Sequence, residues 1–231
     1  MPSRTACSAV WLWLAGVMLA GSAVAADEPA AHTAEGWRAV VSKFAQDHFN
    51  NPAWGYSHSL RDYQLARELA AEDHVTLDDD VLYAAAYLHD MAAFEPWQKS
   101  GVDHADQAAE IVDTVLKNTG FPMKKIDAVR GAIRTHMFER NPVGHEALYL
   151  HDADALDWLG AIGVARMFGL VDPKGGNPTG PETVAKLESN LAKVPPRVLS
   201  PAGKARVAER QEQLATFLRQ LRQQTGNLRL L

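Results

Sequence analysis

The chain has 231 residues, of which 47% are hydrophobic, a formal net charge of −5, and a single cysteine, Cys7. This length is sufficient to bury the core of one domain, and the absence of a dense basic cluster argues against a nucleic-acid-binding surface. One cysteine so near the start of the chain excludes a fold held together by internal disulfides.

Residues 1–26 have the pattern of a secretory signal peptide. Arg4 precedes a short apolar run at residues 10–20, and Ala23-Val24-Ala25 supplies the small residues expected before a cleavage point. The run is too short to span a bilayer comfortably, although an uncleaved anchor stays open as an alternative. We therefore expect an exported, periplasmic protein that is free of the membrane after cleavage.

The rest of the chain is expected to be all-α. Residues 27–34 have the composition of a flexible tail, and residues 35–225 show helical periodicity with almost no strand pattern. The periodicity and the Gly, Pro and Asn breakers predict helices over residues 34–49, 58–72, 77–89, 104–118, 122–136, 146–168, 182–191 and 201–224. Residues 172–181, rich in Gly and Pro, are expected to form a loop.

Several histidines and aspartates lie on helix faces that are otherwise apolar. His58, for example, shares a face with Leu65 and Leu69, because residues four or seven apart lie on one side of a helix. The same alignment holds for His89, with Asp90 beside it, and for His104, His136 and Asp154. Burying these groups is costly unless they are paired. Imidazoles and carboxylates together are ligands of divalent metals, so we predict a metal site.

A histidine on an apolar face is more often an ordinary core residue than a ligand. His48 aligns with Trp37 and Phe44 and receives no metal role, and the face of His151 is ambiguous. The metal prediction depends on several elements agreeing, not on one residue.

The ordered set His58, His89-Asp90 and Asp154 resembles the signature of the HD-domain superfamily of metal-dependent phosphohydrolases. The segment from His151 to Arg166, which contains Asp-Ala-Asp-Ala-Leu-Asp, is similar to the last metal-binding helix of a bacterial subgroup of HD hydrolases. The resemblance implies one HD-type helical bundle over residues 35–225, with the metal site in its core.

The resemblance also implies a ligand set. His58, His89, Asp90 and Asp154 would hold one metal, and His104 and His136 would add a second, with Asp90 bridging the two ions. We favour two metals; the alternative is that His104 and His136 contact a ligand or the substrate phosphate. The donor set suits Mn, Fe, Co, Ni or Zn.

The activity implied is hydrolysis of a nucleotide or another small phosphate ester by metal-activated water. Asp90 would take part directly, Glu95 is the candidate general base, and Arg61 is the candidate phosphate contact. Glu95 could equally be a surface carboxylate, since some relatives place a catalytic glutamate where this chain has Ala93.

Other polar residues near the predicted site have less certain roles. Asp152 is expected to orient a metal ligand, and Asp157 to be a structural partner. Arg166, Lys186 and Arg210 are each candidates for either a phosphate contact or an ion pair.

Two other functions remain open at this stage. The six-ligand set would also suit a di-iron oxygenase of a small substrate, because some HD-fold proteins use it in that way. An exported binding protein without catalysis is the third possibility, since nucleotides are scarce outside the cytoplasm. The expected partner is a small phosphorylated substrate, and the sequence does not indicate an oligomeric state.

Overall fold

The computed structural model describes residues 36–231, so the predicted signal peptide (1–26) and tail (27–34) lie outside the described residues. The helices are α1 (Gly36–His48), α2 (Tyr56–Glu72), α3 (Asp79–Leu88), α4 (His104–Ile111), α5 (Asp113–Leu116), α6 (Ile126–Arg134), α7 (His145–Asp157), α8 (Gly160–Phe168), α9 (Gly180–Lys193) and α10 (Pro201–Gln224). Residues 36–231 contain no strand, which confirms the all-α prediction. None of the described helices combines the length and apolar character needed to cross a membrane.

Helix α2 lies at the centre of the bundle. It packs against α7 and α3, while α6 packs on α3 and α4, and the long α10 lies across α7, α8 and α9. Leu69, Leu82, Leu88, Ile133 and Leu150 are fully buried where these helices meet. Because α2, α3, α6 and α7 share one core, side chains from distant parts of the sequence can meet inside it.

Polar caps fix where several helices begin. The Asp78 side chain accepts hydrogen bonds from the backbone at the start of α3, and Asp103 does the same for α4. Thr179 and Glu182 form a reciprocal capping box at the start of α9. The α4 cap matters for function, because it places His104 in the first turn of that helix.

The single helix predicted over residues 146–168 is wrong, since the structure has two helices there. The helix is interrupted between Asp157 and Gly160, where Leu159 is extended and Gly160 has φ +66°. A side chain at Gly160 would be strained by this φ and would also meet the Gln213 side chain. The break ends α7 just after Asp157 and turns the chain towards α10.

Two other predicted helices are also shorter than expected. Residues 104–118 form α4 and the short α5, and residues 122–136 begin with a 3₁₀ turn and end at Arg134. His136 therefore lies just beyond the end of α6, as His89 lies just beyond the end of α3. A residue after a helix terminus can direct its side chain along the helix axis into the core.

Candidate metal centre

The side chains predicted as metal ligands meet in the core. They come from α2 (His58), the residues just after α3 (His89 and Asp90), the start of α4 (His104), the segment just after α6 (His136) and α7 (Asp154). All are less than 10% exposed except His104, whose side chain is 29% exposed. Five separate parts of the bundle thus converge on one polar cluster within an apolar core.

The inner part of the cluster lies between α2, α3 and α7. His58 Nε2 lies 3.3 Å from His89 Nε2, 3.3 Å from Asp154 Oδ1 and 3.2 Å from Asp62 Oδ2. Potential ligand atoms of these residues all lie within 4.8 Å of one another. Donors bound about 2.0–2.2 Å from a common ion are separated by distances of this order, so the four groups could hold a divalent metal.

The outer part of the cluster surrounds Asp90. Its Oδ1 lies 3.3 Å from His104 Nε2 and 3.6 Å from His136 Nε2. Its Oδ2 faces the inner group, 3.3 Å from His89 Nε2 and 3.7 Å from His58 Nε2. The two oxygens of Asp90 therefore face different sets of histidines, as a carboxylate between two ions would.

Hydrogen bonds at Nδ1 orient three of the histidines. The Nδ1–H of His89 donates to the Ala86 carbonyl oxygen at 2.9 Å, and that of His136 donates to the Ile133 carbonyl at 2.6 Å. The Nδ1–H of His58 donates to Asp157 Oδ2 at 2.9 Å. A histidine protonated at Nδ1 presents a lone pair at Nε2, and these partners aim that lone pair into the cluster.

Two observations show that these residues suit a cation. The Nε2 atoms of His58 and His89 face each other at 3.3 Å, an arrangement that sets two lone pairs against one another unless a proton or a metal lies between them. Both oxygens of Asp62, Oδ2 of Asp154 and Nε2 of His136 are buried without a hydrogen-bond partner. Buried polar groups are normally satisfied, and divalent ions bound in the inner and outer groups would satisfy the atoms of these three residues.

Burial and neighbouring charges shift the pKa values of Asp90 and Asp62 in opposite directions. Burial is the largest influence on Asp90 and raises its pKa, but His89, His104 and His136 outweigh it and hold the pKa well below its usual value. Burial also acts most strongly on Asp62, and with Asp157 and Asp154 beside it the pKa rises well above its usual value. The carboxylates around Asp62 therefore bring more negative charge than the neighbouring histidines compensate.

Asp157 positions His58 and is itself held by two arginines. Its Oδ2 lies 2.9 Å from Arg61 Nη2 and 3.1 Å from Arg166 Nη1, and Arg166 is almost completely buried. Burial raises the pKa of Asp157, but His58, Arg166 and Arg61 outweigh it and lower the pKa. Asp157 is thus the structural partner expected. Arg61, predicted to contact phosphate, is instead paired with this carboxylate.

A cavity of about 270 Å³ opens beside the outer part of the cluster. Asp90, His104 and Asp154 of the cluster line it, together with Trp54, Ala93, Met137, Phe138, Glu139, Trp158 and Lys186. The inner histidines do not line it. A small molecule in this cavity would therefore meet the Asp90–His104 side of the cluster first.

Two predicted residues lie away from this cavity. Glu95 is exposed and is not among the lining residues, whereas Ala93 and Glu139 are. Asp152, expected to orient a metal ligand, instead accepts hydrogen bonds from the backbone N–H groups of Leu199 and Ser200, and its Oδ1 lies 3.0 Å from Nδ1 of His151, which is not one of the predicted ligands. The Asp152 prediction was wrong, because its carboxylate ties α7 to the segment before α10.

The HD domain family matches residues 55–159, a range that includes every predicted ligand. The chain therefore contains an HD domain over these residues. An HD domain implies divalent metal binding, and the clusters described above could hold the ion. No protein of curated function matches the sequence.

Solved structures share this HD fold. A predicted HD superfamily hydrolase from an uncultured Thermotogales bacterium is 25% identical with a TM-score of 0.56, covering 81% of this chain and 90% of its own. Bacillus subtilis YpgQ, solved in complex with ADP, is 20% identical with a TM-score of 0.61, covering 81% and 97%. An HD-superfamily hydrolase from Bacillus thuringiensis is 21% identical with a TM-score of 0.57, covering 83% and 96%. The family and the cluster together indicate a metal-dependent hydrolase.

Sequence reasoning missed one member of the inner part of the cluster, Asp62. It lies four residues after His58 on α2, so that the two side chains share a face. The same alignment that selected His58 with Leu65 and Leu69 also includes this position. The signal that could have identified Asp62 was the presence of a histidine and an aspartate four residues apart on one apolar helix face.

We expect metal affinity to increase as the pH rises through and above about 6.5. Burial is the largest influence on His58, His89 and His104 and lowers each pKa, but the neighbouring aspartates outweigh it and raise each pKa above 6.5. Protons bound to these histidines stabilise the metal-free protein below pH 6.5 and are lost as the pH rises through the raised pKa values, which frees the lone pairs for metal.

Calorimetric titration of the metal-free protein with Mn²⁺ at about pH 6, 7 and 8 measures this dependence. An affinity independent of pH across that range would contradict histidine ligation.

Proposed function

We propose that this HD domain is a metal-dependent phosphohydrolase that cleaves a nucleotide or another small phosphate ester. The observation that supports this proposal most directly is the position of Asp90, whose two oxygens face two sets of histidines at the floor of a cavity. His58, His89, Asp90 and Asp154 would hold an inner divalent metal, and Asp90, His104 and His136 would hold an outer one.

When bound, the metals would lower the pKa of a water molecule and polarise the phosphoryl group. The residues of the chain prepare that chemistry. Asp157 and the carbonyls of Ala86 and Ile133 fix the three buried imidazoles in one tautomer. His104, at the cavity and partly exposed, lies where a phosphoryl oxygen would approach. Helices α2 and α7 exclude bulk water from the inner side.

Lys186 is the cation best placed to contact the substrate. It lines the cavity with His104, its Nζ lies 5.9 Å from the centroid of the Trp158 ring, and no carboxylate of the described residues lies within ion-pair distance of it. Arg61 and Arg166 are already paired with Asp157, and Arg210 Nη1 donates to the Leu156 carbonyl. We therefore propose Lys186, in place of Arg61, as the phosphate contact.

The walls of the cavity suit an organic group attached to the phosphate. Trp54, Met137, Phe138 and Trp158 supply apolar surface, and the buried Trp158 Nε1 has no hydrogen-bond partner. An indole N–H usually finds an acceptor when buried, so a ligand carbonyl or ring nitrogen would satisfy it. Such a ligand is consistent with a nucleotide, and the ADP bound to a protein of the same fold makes nucleotides the first compounds to test.

The proposal is tested by measuring phosphate and pyrophosphate release from nucleotides and simple phosphate esters. The protein is stripped of metal and reloaded with Mn²⁺, Co²⁺ or Ni²⁺, and bound ions are counted by elemental analysis. Release that requires metal supports the proposal. The six-residue arrangement also suits two irons, so iron-loaded protein is tested in parallel, and substrate-dependent oxygen uptake without phosphate release would favour an oxygenase. Metal-loaded protein that turns over no substrate would favour a binding protein.

Replacing Lys186 by methionine is expected to raise KM for a phosphate ester by about tenfold while kcat changes less, because a charged hydrogen bond to the bound substrate is lost. The matched control is Lys174→Met, which removes an exposed lysine outside the cavity. Steady-state kinetics on both variants make the comparison. Equal KM values for the two would assign the phosphate contact elsewhere.

We further propose that the mature protein acts outside the cytoplasm, as the pattern of residues 1–26 indicates. Fractionation of cells that produce the full chain, with N-terminal sequencing of the recovered protein, tests both export and cleavage. Recovery of an intact N-terminus in the cytoplasm would overturn this assignment.

A further inference from the structure

Asp62 is not one of the six ligands named in the proposed function, yet it lies beside His58 and His89 in the inner cluster. It is fully buried in α2, and neither carboxylate oxygen has a hydrogen-bond partner. Its Oδ2 lies 3.2 Å from His58 Nε2 and 3.8 Å from His89 Nε2. A fully buried carboxylate that lacks hydrogen bonds is costly, so the position demands a partner.

Asp157, the other carboxylate close to His58, has a different environment. Arg61 and Arg166 compensate its charge. Among the described residues, Asp62 has no arginine or lysine within ion-pair distance, and only the Nε2 atoms of His58 and His89 approach it. Those are the same two atoms that a metal at the inner position would bind.

We propose that Asp62 is an additional metal ligand, which completes the inner site and leaves substrate binding to the outer metal. This inference rests on the proposed two-metal function. With Asp62, five protein residues would hold the inner ion, the others being His58, His89, Asp90 and Asp154, so little room would be left there for a water or substrate. Asp90, His104 and His136 would hold the outer ion, and Asp90 and His104 line the cavity from which a substrate would approach.

The charge balance supports the same assignment. Asp62, Asp90 and Asp154 bring three carboxylates together, and no arginine or lysine of the described residues lies within ion-pair distance of them, since the nearby Arg166 is paired with Asp157. One divalent ion leaves the three carboxylates with one net negative charge. Two divalent ions give the group one net positive charge, which an anionic substrate or a hydroxide can balance. Asp62 therefore makes the second ion more favourable.

The test compares the wild-type protein with Asp62→Asn, which keeps the volume and removes the charge. Metal-free proteins are titrated with Mn²⁺ and with Co²⁺ in competition with a chelator, and bound ions are counted after gel filtration. A ligand should contribute at least as much as its supporting partners, whose loss costs about 10- to 100-fold in affinity. We expect the tighter class of site to weaken at least tenfold in Asp62→Asn; a smaller change would overturn the proposal.

Thermal melting gives a second readout, independent of activity. Without metal, Asp62→Asn should melt at a higher temperature than the wild type, because asparagine removes a buried carboxyl group that must either stay ionised without a partner or take up a proton on folding; with saturating Mn²⁺ the order should reverse. The control is Asp152→Asn, an equally buried aspartate whose partners are the backbone N–H groups of Leu199 and Ser200 and the ring of His151, none of them a proposed ligand, and it should melt lower in both conditions with unchanged metal affinity. Asp62→Asn behaving like this control would also overturn the proposal. A wild type that binds no metal would instead refute the proposed function.

Discussion

Replacing Asp90 by asparagine is expected to lower kcat/KM for phosphate-ester hydrolysis by about 1,000-fold or more, equivalent to about 4 kcal/mol in activation free energy. Both oxygens of Asp90 face histidines, Oδ2 towards His89 and Oδ1 towards His104 and His136. An asparagine keeps the shape but offers one oxygen and one NH₂ group, so it cannot serve two ions. Elemental analysis should show a fall from two metals per chain to at most one.

The matched control for this prediction is Asp73→Asn. Asp73 ends α2, and its carboxylate accepts hydrogen bonds from Tyr149 Oη and the Ala202 backbone N–H, outside the metal cluster. The control removes the same charge and should reduce stability, while kcat and metal content stay at the wild-type level. If Asp90→Asn retained full metal content and more than about a tenth of the activity, Asp90 would not bridge the two ions.

We expect Asp90→Asn to lose more activity than Lys186→Met, because Asp90 would act mainly on the transition state and Lys186 on the bound substrate as well. Lys186 lies at the mouth of the cavity, is exposed, and would contact the substrate phosphate before and during reaction. An interaction made equally in both states changes KM more than kcat. In the proposed mechanism Asp90 would position the groups that stabilise the charge developing in the transition state, so its loss should lower kcat itself.

Helical periodicity carried most of the information about the fold and the ligand set. His58, His89, His104, His136 and Asp154 could be selected because each interrupts an apolar face, and a polar group on such a face needs a partner in the core. The all-α class follows from the same periodicity. The residues chosen in this way lie together in the structure, because the direction of each side chain depends on its own helix face.

The prediction was incomplete where a role depends on a partner far away in the sequence. Arg61 was read as a phosphate contact because it follows His58 by one turn, but its partner Asp157 lies 96 residues away. Glu95 was selected because it follows Asp90 closely, yet the chain turns after Ala93 and leaves Glu95 exposed, while Glu139 borders the cavity. Contacts of this kind are determined by tertiary packing, which periodicity alone does not describe.

The break between α7 and α8 shows the same limit in the backbone. The apolar pattern from residue 146 to residue 168 is continuous, and glycines within a helical pattern are tolerated at a modest cost. Gly160 nevertheless adopts a positive φ next to Gln213 and Arg210 of α10, so packing against a distant helix ends α7 there. The break has a functional consequence, since it leaves Asp157 at the last turn of α7, beside Arg166 of α8.

Removing the metals should lower the melting temperature of the protein by about 5–10 °C. An ion present at about 100 times its dissociation constant stabilises the folded state by about 2.7 kcal/mol, and each kcal/mol shifts the melting temperature of a domain of this size by about 2–4 °C. The structural reason lies in Asp62, Asp90 and Asp154, which are at most 6% exposed and which the ions would neutralise. Without metal, folding must bury these carboxylates beside only partly protonated histidines.

Melting curves recorded by circular dichroism in excess EDTA and in excess Mn²⁺ measure this effect, and restoring Mn²⁺ after chelation should recover the original curve. In Asp90→Asn the difference between the two curves should shrink, because the bridging carboxylate is gone and fewer ions bind. In Asp73→Asn both curves should move to lower temperature with their separation unchanged, since Asp73 contributes hydrogen bonds and no ligand. Identical wild-type curves with and without EDTA would mean that the buried carboxylates are compensated by protons and not by metal, and the hydrolytic role assigned to the cluster would fail with that result.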